Sequence, residues 1–207
     1  MSKITTISTI RHGQTHYNTE NRNAGSIDVP LNENGIKDAQ KAAGKLIDHK
    51  IDVVITSKLT RAIHTSQLLT AGRDIQIIQN KLCNERNYGR MQGLTYTEVE
   101  EVKPHILYLK LNSDFHSLNP PEGETFPVLR KRAKAFSQFI FQHYSGSNIL
   151  VVSSSAFMQQ LHGIFRNTNW KESLRDEIRN LDFTTFTFEG KRLINEIAII
   201  LTGDTSG

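Results

Sequence analysis

The stretch Ile4-Thr5-Thr6-Ile7-Ser8-Thr9-Ile10-Arg11-His12-Gly13 decides how this chain is read. Its β-branched run from Ile4 to Ile10 predicts a strand. That strand runs directly into Arg11-His12-Gly13, so a guanidinium, an imidazole and a conformationally free glycine sit at a strand's carboxyl end. The same arrangement of apolar segment and polar cluster recurs downstream. Asn34 to His49 places Ile36, Ala39, Ala43, Leu46 and Ile47 at helical spacing behind a candidate N-cap, Asn32. Ile51 to Thr56 predicts a buried strand, then Ser57-Lys58-Leu59-Thr60-Arg61, then a helical pattern through Ala62, His64, Thr65, Leu68 and Leu69. Ile75 to Ile78 predicts a third strand leading towards Glu85.

Phe126 to Gln142 returns to helical spacing, and Asn148 to Val152 predicts a buried strand that ends in Ser153-Ser154-Ser155. Phe157 to Arg166 predicts a helix. Phe183 to Glu189, Gly190, and Arg192 to Leu201 predict a terminal hairpin. Strands alternating with helices imply an α/β fold, a three-layer α/β/α domain with a mostly parallel central sheet and an antiparallel edge from the C-terminal hairpin. One domain over residues 1–202 is expected, followed by a disordered tail at 203–207. Pro104, Pro120, Pro121 and Pro127 interrupt an irregular stretch, which predicts a cap-like insertion at about 87–127 built from a helical segment and loops. In such sheets ligands bind beyond the carboxyl ends of the strands. Arg11-His12-Gly13, Arg61 and Ser153 to Ser155 would meet there.

Composition narrows the function. The chain of 207 residues has a formal net charge of +4. That favours an anionic ligand but falls well short of a nucleic-acid signature. The basic cluster from Arg130 to Lys134 lies in a helical pattern and reads as a solvated face. A lone cysteine, Cys83, excludes an internal disulfide and multi-cysteine zinc sites, and nothing beside it resembles a thiol-protease signature. No signal-peptide run opens the chain, and nowhere do about 18 apolar residues follow one another. A soluble, cytoplasmic chain without membrane or nucleic-acid partners is expected, with homo-oligomerisation left open. His16, His49, His64, His105, His116, His143 and His162 have no metal-site spacing, so no metal and no cofactor are expected.

Phosphoryl transfer needs a nucleophile, donors for the nonbridging oxygens and an acid for the leaving alcohol. His12 can attack phosphorus if one ring nitrogen is free while the other donates to a backbone carbonyl. Arg11 and Arg61 offer rigid forked donors suited to phosphate oxygens. The tripeptide alone is weak evidence. The surrounding text is not. It runs Arg11-His12-Gly13-Gln14-Thr15-His16-Tyr17-Asn18, Asp28-Val29-Pro30-Leu31-Asn32 with Gly35, and Thr56-Ser57-Lys58-Leu59-Thr60-Arg61-Ala62 with Thr65. It continues through Glu85-Arg86-Asn87-Tyr88-Gly89 with Gly93, and Pro121-Glu122-Gly123-Glu124-Thr125 with Arg132.

In that order these motifs resemble the histidine phosphatase superfamily, in the branch of phosphoglycerate mutases and fructose-2,6-bisphosphatases, over nearly the whole chain. The resemblance implies hydrolysis of a small phosphorylated substrate through a phosphohistidine at His12. Arg11 and Arg61 would clamp the phosphoryl group, Asn18 would add a contact, and Glu85 would be the proton donor. Thr15, Gly25, Tyr88, Ser154 and Ser155 complete the expected substrate contacts. Specificity is expected in the Asn87 to Pro127 region, with Tyr88, Arg90, Tyr96, Tyr108 and Phe115 as candidates.

The pattern breaks after Leu150-Val151-Val152-Ser153, where the family has a second histidine and this chain has Ser154. In the family that histidine donates to the phosphoryl group, and losing one such donor costs about 10² to 10³ in rate. His162 lies about 12 Å further along the next helix and is not expected to substitute. Ser154 is either an engineered change or a natural one. Phosphatase activity in a weakened or inactive form is the leading expectation; mutase-type transfer and a pseudophosphatase that binds without turnover are the alternatives.

Overall fold

A computed structural model describes residues 3–111 and 114–201. The opening run forms strand β1 (Ile4–Arg11), followed by α1 (His16–Thr19), α2 (Glu33–Lys45), β2 (Val53–Thr56), α3 (Thr60–Leu69) and β3 (Gln76–Gln79). After the hairpin strands β4 (Tyr108–Leu111) and β5 (Asp114–Ser117) come α4 (Phe126–His143), β6 (Asn148–Ser153), α5 (Ser155–Phe165), α6 (Trp170–Ser173), β7 (Asp182–Glu189) and β8 (Arg192–Ile200). The main sheet has strand order β3-β2-β6-β1-β7-β8. Strands β3, β2, β6 and β1 are parallel, while β7 is antiparallel to β1 and to β8. The expected α/β class and its antiparallel C-terminal edge are both present.

Alternation along the strands explains the layers. Ile7, Val53, Ile55, Ile149 and Val151 face one core with Phe136 and Ile140 of α4 and Phe157 and Leu161 of α5. Ile10, Val54, Leu150 and Val152 face the other, with Ala39 and Ala42 of α2 and Ala62 and Leu69 of α3. Because neighbouring residues of a strand point to opposite faces, both faces of the sheet must be covered. These β-branched runs therefore belong at its centre.

The inserted segment corrects one expectation. A helical stretch was expected between Leu94 and Pro127; the structure has a single 3₁₀ turn at Glu98–Glu101 and the two-stranded β4–β5 hairpin. Between Pro104 and Pro120 the leucines Leu107, Leu109 and Leu111 do not recur at helical spacing. Tyr108-Leu109-Lys110-Leu111 instead alternates, with Leu109 and Leu111 packed on the core beside α4 while Tyr108 and Lys110 are exposed. The helices α1 and α6 were not anticipated, because each is only one turn long. Both are nucleated by a capping box, Thr15 with Asn18 and Asn169 with Glu172. The tail expected to be disordered lies outside the described residues.

Phe136 is fully buried and meets Phe157 edge to face at a centroid separation of 5.4 Å. Phe136→Ala should therefore lower unfolding free energy by about 3–5 kcal/mol in urea titration. A loss below about 1 kcal/mol would contradict the packing described.

Candidate active site

His12 leaves the end of β1 under tight control. Its backbone N–H donates to the Ser153 carbonyl (2.9 Å), extending the β1–β6 pairing by one step, and Asn180 Nδ2 donates to its carbonyl (2.8 Å). The imidazole Nδ1 lies 2.8 Å from the Gly13 carbonyl, and a carbonyl can only accept, so Nδ1 carries the proton. Nε2 then bears the lone pair and accepts from Arg61 Nε at 3.1 Å. Burial, together with the Arg61 and Arg11 charges, holds the imidazole well below the usual histidine range. The ring is thus a neutral base with one nucleophilic nitrogen.

Gly13 is fixed from both sides. Its N–H donates to Thr65 Oγ1 (3.0 Å), which donates in turn to the Arg61 carbonyl (2.7 Å). A Cβ at Gly13 would stand 2.7 Å from the Gly35 carbonyl oxygen, and one at Gly35 would strike the Gln14 backbone. The active loop therefore crosses the start of α2 at backbone contact. Asn32 secures the crossing: its side chain caps Gly35 N (2.8 Å), and its N–H donates to the Gln14 carbonyl (3.0 Å).

Arg61 projects from the first turn of α3 and is almost fully buried. Besides Nε on His12, its Nη1 donates to the Ile27 carbonyl and its Nη2 to the Gly25 carbonyl, each at 2.8 Å. A guanidinium has five N–H donors, so two remain for a ligand. Gly25 adopts a left-handed φ of 53°, a conformation that glycine reaches without strain. Arg11 donates Nη1 to the Ile178 carbonyl (2.8 Å), and its buried Nε has no partner. Burial lowers the pKa of both guanidinium groups, but arginine remains charged. Asn18 Oδ1 accepts from Thr15 N (3.0 Å), Thr15 Oγ1 (3.1 Å) and Asn180 Nδ2 (3.4 Å).

Glu85 lies across the start of α5. Its Oε1 accepts from Arg86 N (2.7 Å) and Phe157 N (3.2 Å), and its Oε2 accepts from Ala156 N (3.4 Å). Arg132 of α4 holds this segment through the Leu82, Asn84 and Glu85 carbonyls and pairs with Glu124 through Nε (2.9 Å) and Nη2 (2.7 Å). Glu124 also accepts from Asn87 N (3.0 Å). Arg86 donates to the Ser117 and Glu124 carbonyls and lies over the Phe126 ring at 3.9 Å. Tyr88 flanks Arg86, and burial pushes its phenol pKa up.

Ser154 follows Ser153, the β6 residue paired with Arg11, and is the N-cap residue of α5, yet its side chain makes no capping bond and its buried Oγ has no partner. Ser155 begins the helix. His162 is committed elsewhere, with Nε2 2.9 Å from Thr9 Oγ1 and Nδ1 3.5 Å from Asp176. Cys83 is fully buried and its thiol pKa is pushed up by burial, which leaves no nucleophilic thiolate. A cavity of about 730 Å³ opens from Arg11, Ser155 and Ala156 towards the β4–β5 hairpin. Tyr88, Tyr96, Tyr108 and Phe115 line it; Arg90 instead donates to the Lys103 carbonyl.

The structure thus brings His12, Arg11, Arg61 and Glu85 together, with Ser154 one residue beyond the Ser153 carbonyl that accepts from the His12 N–H. Thr15 donates to Asn18, and the Gly25 carbonyl accepts from Arg61. Asn180 was missed. Its signal was available: a polar residue just before a strand antiparallel to β1 must start near the end of β1.

The family model described as histidine phosphatase superfamily (branch 1) matches residues 7–197. Phosphoglycerate mutase-like protein 4 of Arabidopsis thaliana is 32% identical over 157 residues, covering 74% of this chain and 67% of that protein. A 2,3-bisphosphoglycerate-dependent phosphoglycerate mutase of Cytophaga hutchinsonii is 29% identical over 205 residues, covering 95% and 93%. Among solved structures, Bacillus stearothermophilus YhfR aligns with a TM-score of 0.79 at 25% identity, covering 92% of this chain and 94% of that one.

Two buried imidazoles set an acid limit on stability. Burial depresses the pKa of both His12 and His162 below the ordinary 6.5. Between that value and their lower native values the unfolded chain binds more protons, so stability falls as pH drops below about 6.5. The urea midpoint should be lower at pH 5.5 than at pH 7.5. An unchanged or higher midpoint at pH 5.5 would contradict neutral, buried imidazoles.

Proposed function

Because this chain belongs to branch 1 of the histidine phosphatase superfamily, we propose that it hydrolyses a phosphate monoester through a phosphohistidine at His12, with turnover held back by Ser154. The observation that carries this reading is the pair of bonds on His12, Nδ1 to the Gly13 carbonyl and Nε2 to Arg61 Nε. A neutral imidazole with its proton fixed on Nδ1 can offer Nε2 to phosphorus without first losing a proton.

In the first step the Nε2 lone pair forms the N–P bond as the bond from phosphorus to the leaving oxygen breaks. Glu85 gives the leaving alcohol its proton. Arg11 Nε, the two remaining N–H groups of Arg61 and the Asn18 amide hold the nonbridging oxygens, while the Gly13 carbonyl stabilises the charge gained by the ring. In the second step water attacks phosphorus, the N–P electrons return to Nε2, and Glu85 recovers a proton from the water. Inorganic phosphate leaves. The donors are in place before charge develops, which is the condition for electrostatic catalysis.

Ser154 supports the second half of the proposal. Its hydroxyl is uncharged and shorter than an imidazole, so one donor to the transferring group is weakened. Ser154→His should raise kcat for phosphate ester hydrolysis by about 10²-fold or more, and adding His12→Ala should abolish the gain. No gain for any ester, with inorganic phosphate still bound, would point to a binding protein without turnover. The similarity to a phosphoglycerate mutase gives the second reading its own test. Conversion of 3-phosphoglycerate to its isomer without release of phosphate would replace hydrolysis by mutase-type transfer.

A further inference from the structure

The cavity beyond Arg11 does not match a small acidic leaving group. Its volume of about 730 Å³ falls in the upper part of the range, roughly 300–1,000 Å³, over which pockets enclose drug-sized ligands. Its outer wall is aromatic: Tyr96, Tyr108 and Phe115 are 68%, 45% and 65% exposed. Three large rings left in water around one cavity form the kind of patch that marks a binding surface. Tyr108 and Phe115, cross-strand neighbours in the hairpin, hold each other edge to face at 6.4 Å.

The charges beyond Arg11 are distributed the wrong way for a second anion. Arg86 directs Nε to the Glu124 carbonyl and Nη1 and Nη2 to the hydroxyl and carbonyl of Ser117, and Arg179 pairs with Glu177 at 2.9 Å. Glu100 and Asp114 also line the cavity and make no salt bridge among the described residues. Lys110 Nζ stands 5.4 Å over the Phe115 ring, so that ring already receives a cation, but Tyr96 and Tyr108 take none among the described residues. Aromatic rings beside unpaired carboxylates attract an ammonium group through the ring quadrupole and by direct charge attraction. A carboxylate or second phosphate placed between Glu100 and Asp114 would face two carboxylates that form no salt bridge among the described residues, while the one lysine of the hairpin strands is turned to the Phe115 ring.

We propose that the substrate is a phosphate monoester of a bulky, flat alcohol carrying a protonated amine or quaternary ammonium group. Its phosphate would lie at His12 and its cation between the aromatic rim and Glu100 and Asp114. The inference rests on the hydrolytic reading of the His12 site, and it sets this chain apart from a phosphoglycerate enzyme.

The test uses the Ser154→His protein and three phenyl phosphates that differ only in a para group insulated by a methylene: trimethylammoniomethyl, hydroxymethyl and carboxymethyl. The ammonium ester should exceed the carboxylate ester in kcat/KM by about tenfold or more, chiefly through KM, with 3-phosphoglycerate poorer still. In Glu100→Gln with Asp114→Asn the ratio of ammonium to carboxylate ester should fall towards one. A ratio measured within one protein does not depend on how much of it is folded. Equal or better use of the carboxylate ester or of 3-phosphoglycerate overturns the inference. Orthovanadate binding separates the two levels: vanadate bound in a His12-dependent way without ammonium preference sinks this inference alone, whereas no vanadate binding and no hydrolysis sink the His12 reading and this one with it.

Discussion

The hydrogen bond from His12 Nδ1 to the Gly13 carbonyl is the constraint on which the rest of the site depends. It joins neighbouring residues, so it forms only if the chain turns sharply after β1 and the Gly13 carbonyl folds back over the ring. Gly13 has no room for a side chain because Gly35 occupies that space. Thr65 accepts from the Gly13 N–H, Asn180 donates to the His12 carbonyl, and the Ser153 carbonyl accepts from the His12 N–H. Four distant segments thus meet within one turn of chain to fix which ring nitrogen bears the proton.

The charged groups around that turn share one logic: each is held by the protein before any ligand arrives. Arg61 is anchored by two backbone carbonyls, Arg11 by a third, and Glu85 by N–H groups at the start of α5. Burying arginines in this way costs free energy, and carbonyl partners offset much of that cost. What is gained is orientation. The parallel core supplies the common location, because β1, β2 and β6 run the same way and deliver their polar ends to one edge. Electrostatic preorganisation here is a consequence of topology and backbone carbonyls more than of salt bridges.

Much of this was legible in the sequence. The β-branched run ending in Arg11-His12-Gly13 marked the strand and put His12 at its end, and the alternation of strands with helices marked a sheet covered on both faces. Within residues 94–127 a helical segment does not form; the period-two pattern of Tyr108 to Leu111 marks a hairpin strand, and four residues are too short a run to stand out among the surrounding prolines. Thr15 and Gly25 were expected to touch substrate; what the fold adds is that Thr15 donates to Asn18 and the Gly25 carbonyl accepts from Arg61. Nothing in a linear sequence separates a ligand contact from the residue that orients it. The roles of Glu124 and Arg132 were hidden for the same reason: their ion pair holds the Glu85 segment, and only the fold brings α4 against it.

The position of one proton on the His12 imidazole decides the chemistry of the site, and long-range ¹H–¹⁵N correlation spectroscopy reads it directly. The ring should be neutral at pH 7 with Nδ1 protonated and Nε2 bare, and should stay so below the pH at which exposed histidines in the same spectrum become charged. A ring protonated on Nε2, or an imidazolium titrating near 6.5, would contradict it.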